Sequence, residues 1–123
     1  MNKGLKLNKG TGNLTLSSGN IKHFWNGHSF ESLGKQAPHL LKVKSRGEVE
    51  KQLSDIGFFN KELSKDQVVS SVQKAANEAL SKGVTHGQYS TKINGESITV
   101  AFDQGIFQTA WGAYKYKLSD FGY

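Results

Sequence analysis

The sequence predicts an α+β domain, with N-terminal helices packed on a twisted antiparallel sheet of three to five strands. Residues 64–80 place Val68, Val72, Ala75, Ala76, Ala79 and Leu80 at helical spacing, which describes one apolar stripe. After Gly83 the period falls from 3.6 to 2, because Tyr89, Thr91 and Ile93 alternate with polar neighbours, as do Ile98, Val100 and Phe102. Asn94-Gly95 between those runs is a tight hairpin turn. A sheet of this kind must cover one face, and the stripe ending at Leu80 is the available cover.

Each element has its own local cause. Residues 29–41 read as helical, with Ser29 as a cap, but Pro38 favours two short helices over one because it restarts a helix well and continues one badly. Ser45 and Glu48 make a capping-box pair for a helix over residues 45–55, which Gly57 ends. Ser64 and Gln67 make a second such pair for the long helix, and Gly83 stops it. Asp103-Gln104-Gly105 then turns the chain into a strand ending at Trp111, and Gly112 can turn it again into residues 113–118. In strict alternation Phe107, Thr109 and Trp111 share one face of that strand. Residues 1–20, rich in glycine and polar groups with isolated leucines, read as a flexible lead-in or edge segment, and residues 21–123 as a single domain.

Composition removes several classes of function. With no cysteine in 123 residues, disulfides, thiolate metal centres and thiol nucleophiles are excluded. No run of eighteen apolar residues occurs, so no stable membrane insertion is expected. Phosphate-binding G-x-x-x-x-G-K-[ST] and calcium-binding D-x-[DN]-x-[DN]-G loops are absent, and His23 and His28 lack a zinc spacing, so neither a metal nor a cofactor is expected. The net charge is +6 and is uneven: residues 1–46 carry eight basic groups and the single acid Glu31, whereas residues 47–123 carry eight basic groups and nine acids. Such a field favours phosphate-bearing or acidic partners.

Four histidines and a basic first third suit metal-free cleavage of RNA. One group takes the proton of the ribose 2′-hydroxyl, another protonates the leaving 5′-oxygen, and a cation or hydrogen-bond donor meets the charge growing on phosphorus. Lys35 precedes His39 by four residues, and Lys42, Lys44 and Arg46 continue the positive run, with His23 and His28 upstream. His86 sits between the long helix and the first strand, beside Gly87 and near Tyr89. Thr109, Trp111 and Tyr114 surround the last predicted turn, where aromatic rings can hold an unstacked base and a hydroxyl can donate to phosphate. Each has a plainer reading: His39 at a helix edge among solvated lysines, His86 as a polar loop residue, Trp111 as core.

The order of elements, and above all INGESITVAFDQGIFQTAW, resembles ribonuclease toxin domains of bacterial competition systems, including contact-dependent growth inhibition, that share the barnase/EndoU/colicin/RelE arrangement. The resemblance covers about residues 34–118. It implies a sheet face that cuts RNA, with tRNA the commonest substrate, and selects His39, His86, Lys35 and Thr109 for catalysis. Lys42, Lys44, Arg46, Tyr89, Trp111, Tyr114, His23 and His28 are then substrate contacts. It also implies a cognate acidic immunity protein, and delivery within a larger secreted or surface-borne effector acting in the target bacterial cytoplasm. The closely spaced histidine motif of EndoU is not evident, so which histidine is base and which acid stays open. A nonenzymatic basic module that binds RNA or protein is the alternative.

Overall fold

The computed structural model describes residues 14–123. Leu14 and Leu16 are buried, with the Leu16 amide donating to Gln73 Oε1 at 3.3 Å. Of the expected lead-in, residues 1–13 lie outside the described residues, and the chain is packed from Leu14 onward.

Four helices follow. Helix α1 (Ser18–His28) starts at a capping box in which Ser17 and Asn20 bond each other's backbone amides. Sequence reading placed no helix here, since its box uses Asn rather than Glu or Gln and it buries only Phe24. Helix α2 (Phe30–Val43) is capped by Ser29 and runs unbroken through Pro38, where two short helices were expected. Leu33 and Ala37 are buried on one side, and this packing outweighs the hydrogen bond that Pro38 cannot donate. Helices α3 (Arg46–Ser54) and α4 (Lys65–Ser81) carry the two expected capping boxes. No helix among the described residues is long and apolar enough to cross a membrane.

Strands β1 (Gly87–Ile93), β2 (Glu96–Asp103) and β3 (Ile106–Gly112) form one antiparallel sheet in sequence order. Both hairpin turns use two successive residues at positive φ, Asn94-Gly95 at 51° and 82° and Gln104-Gly105 at 50° and 82°, the primed geometry that matches strand twist. Residues 113–118 add no fourth strand; only Tyr114 bridges back, to Phe58. Helix α4 covers one sheet face, with Val68, Val72, Ala76 and Ala79 fully buried against Ile98, Val100 and Phe102. A second cluster joins α2, α3 and the terminal 3₁₀ turn (Leu118–Phe121) around Leu33, Val49, Leu53, Phe58 and Leu118.

Strict alternation fails in β3. Ala101 pairs with Thr109 while Phe102 pairs with Phe107, so Gln108 has no partner and forms a β-bulge. Phe107 therefore faces α4, edge-on to Phe102 at 6.0 Å, whereas Thr109 and Trp111 turn to the opposite face with Ala101 and Thr99. The expectation that Phe107, Thr109 and Trp111 share a face is corrected by that one extra residue.

Candidate active site between α1 and β3

Helix α1 lies along β3, and its last residue, His28, meets the end of that strand. The His28 ring centroid is 6.1 Å from that of Trp111, with the planes tilted by 33°, and Phe59 stands edge-on to it at 6.5 Å. Trp111 reaches this position because the Gln108 bulge has rotated it away from α4.

The loop after α3 supplies the decisive polar partner. Gly57 passes so close to β3 that a β-carbon there would stand 2.5 Å from Gly112 O and 2.8 Å from Trp111 Cδ1. Gly112 is equally constrained, since its β-carbon would lie 2.3 Å from Phe58 O. Two glycines let the segments approach, and the carbonyl of Gly57 comes to lie 3.0 Å from His28 Nδ1. A carbonyl only accepts, so Nδ1 carries the proton and Nε2 keeps its lone pair. Lys115 braces the same loop, donating from Nζ to Ser54 O at 3.1 Å and Ile56 O at 3.0 Å.

Burial holds His28 below the ordinary imidazole range; the bond to Gly57 opposes this and the charge of His23 adds to it. The half-buried ring is thus a neutral imidazole of fixed tautomer near pH 7, able to accept a proton at Nε2. Two residues from Trp111 on the same face, Thr109 Oγ1 is buried without a hydrogen-bond partner. Its bonding capacity is unspent, which is unusual for a buried hydroxyl.

The other sequence-selected residues are dispersed. His39 is exposed on α2, where Lys35 pairs with Glu31 at 3.4 Å and Lys42 is exposed in the last turn. Lys44 donates to Gln52 Oε1 at 2.7 Å, and Arg46 to Tyr123 O at 2.7 Å. His86, also exposed, precedes β1 at the end of the sheet opposite Trp111, with Nδ1 3.2 Å from Asp103 Oδ1. The Gln104 amide also points at that Nδ1 from 3.4 Å, and one nitrogen cannot donate to the carboxylate and accept from the amide together. No hydrogen bond or ion pair joins His39 to His86 among the described residues.

Tyr89 lies on the α4 side of the sheet and donates its hydroxyl to Glu78, which also accepts from Thr91 at 2.8 Å. Tyr114 is 41% exposed and stacks on Tyr116 at 6.2 Å. The site residues that reasoning from sequence missed are Gly57 and Lys115. A backbone acceptor leaves no side-chain signature, and the only available signal was a glycine directly before two phenylalanines.

No family model, no curated protein and no solved structure matches this chain. The functional reading therefore rests on the site.

Proposed function

We propose that the protein is a metal-independent endoribonuclease that cuts at the junction of α1 and β3. The observation that carries the proposal is the oriented, neutral His28 beside Trp111. In this reading His28 Nε2 takes the 2′-hydroxyl proton and the 2′-oxygen bonds to phosphorus. The P–O5′ bond then breaks with protonation of O5′, leaving a 2′,3′-cyclic phosphate and a 5′-hydroxyl. His23, five residues earlier on α1 and exposed, is the proposed acid. Trp111 would hold a base. The nucleophile belongs to the substrate, so the reaction requires no metal ion.

The net charge of +6 suits an RNA substrate, with tRNA proposed from the resemblance noted above. A barnase/EndoU/colicin/RelE-like arrangement, an acidic immunity partner and delivery into a bacterial target belong to the same proposal. At the level of fold, helices packed on a three-stranded antiparallel sheet support the reading.

Incubation with total RNA in EDTA tests the reading. Discrete fragments ending in cyclic phosphate are expected, and 2′-deoxy substitution at the cut nucleotide should abolish them. His28→Ala should slow cleavage about 10²–10⁴-fold with the fold retained. RNA binding without turnover would instead favour the nonenzymatic basic module.

A further inference from the structure

Directly after His28 the chain enters a second concavity, separate from the face that carries Trp111. Ser29, Phe30, Trp25, Phe59, Lys61 and Lys65 are among the residues lining this cavity of about 150 Å³ between the α1–α2 junction and the start of α4. Its two cations are held by aromatic rings. Lys61 Nζ lies 5.0 Å from the centroid of Phe30 and 5.8 Å from that of Tyr116, and Lys65 Nζ lies 5.8 Å from that of Trp25. Phe30 is itself fixed from behind by Phe121, stacked at 4.2 Å and 9°.

A ring quadrupole positions an ammonium without using up its N–H groups. Neither lysine forms an ion pair among the described residues, and the one acid lining the cavity, Glu31, pairs with Lys35. Other polar groups here are partly committed: the Asn60 amide donates to Glu96 and Tyr114, and Ser29 Oγ accepts from the Ser32 amide. Accepting that bond leaves the proton of Ser29, a residue 1% exposed, free to be donated. Lys61 and Lys65 are exposed, so an anion can reach both ammonium groups from solvent.

We infer that this cavity is a phosphate subsite, in which Lys61 and Lys65 hold the non-bridging oxygens of one phosphodiester of the RNA strand cut at His28. The cavity has room for a phosphate group. Adjacency supports the link, since Ser29 follows His28 in sequence and Phe59, which lines the cavity, donates its amide to His28 O at 3.0 Å. The RNA source of the phosphate rests on the proposed function; the anion chemistry does not.

The test uses fluorescence without turnover. The chain has two tryptophans, so in Trp111→Phe the indole of Trp25 reports alone on the cavity. Inorganic phosphate, added at constant ionic strength, should change its emission saturably, and chloride or acetate should not. Lys61→Gln/Lys65→Gln on the same background should weaken phosphate at least tenfold, with circular dichroism confirming the fold and single Lys65→Gln giving an intermediate loss. A response that is linear, equal for all three anions, or untouched by these substitutions overturns the subsite. A short oligoribonucleotide with a 2′-deoxy block at its cleavage position should then displace phosphate. Saturation by phosphate without such displacement overturns the RNA assignment, whereas displacement without cleavage of the unblocked strand by the protein with Trp111 intact overturns the enzymatic reading and leaves the subsite standing.

Discussion

His28 Nδ1 and Gly57 O, 29 residues apart in sequence, stand 3.0 Å apart, and this bond sets the tautomer of the candidate base. The loop after α3 thereby governs an imidazole on α1.

Gly57→Ala should disturb stability and site together. Its β-carbon meets two rigid neighbours, Gly112 O and Trp111 Cδ1, so the loop must withdraw from β3. A loss of about 1–3 kcal/mol is expected by urea denaturation, typical of overpacking. RNA cleavage by the remaining folded protein should fall as well; unchanged stability and activity would show that the approach is not required.

Acid should weaken the fold through His28. Its folded pKa is lowered, chiefly by burial, so the unfolded chain binds the proton more readily. The stabilising contribution is complete above the ordinary imidazole value and is lost as pH falls through the depressed folded value. Denaturation midpoints measured from pH 8 downward should decline across this window, and His28→Gln should remove that part of the decline.

Thr109→Val separates stability from function. The buried hydroxyl has no partner, so a methyl of similar shape relieves a desolvation cost of about 1–3 kcal/mol at most and should leave stability equal or higher. Turnover of RNA should be unchanged, since a hydroxyl closed to solvent is closed to substrate as well. A destabilised Thr109→Val protein would reveal a hydrogen bond at Oγ1 after all.

Val72→Asp tests the core. Val72 is fully buried on α4 beneath the sheet, where a carboxylate has no partner to meet it. A loss of several kcal/mol, on the order of 3–5, is expected, measured by thermal unfolding or by failure to accumulate as folded protein.

Much of this fold is legible because its signals are local. The stripe from Val68 to Leu80, the Ser45–Glu48 and Ser64–Gln67 pairs and Asn94-Gly95 each act within a few residues, and each is realised in its element. Pro38 misleads because its cost is local while the packing of Leu33 and Ala37 that overrides it comes from distant segments. Helix α1 escapes notice because Phe24 alone marks its fully buried side. The site is harder still. Thr109 and Trp111 were selected as residue types, but His28 becomes the focus only through Gly57 and Gly112, whose approach no short window of sequence displays.

The unpaired Gln108 also gives β3 an uncommon tolerance. Removing one residue from a strand ordinarily exchanges inward and outward positions for everything beyond it. Here Phe107 and Thr109 already oppose consecutive residues of β2, so excising Gln108 would leave a regular ladder with Ala110 still inward and Trp111 still outward. Gln108 is exposed and its amide reaches only as far as Ile106 O, at 3.1 Å. This strand can therefore shorten by one residue and stay in frame, whereas deletion of Ala110, two positions later, would exchange the roles of indole and core.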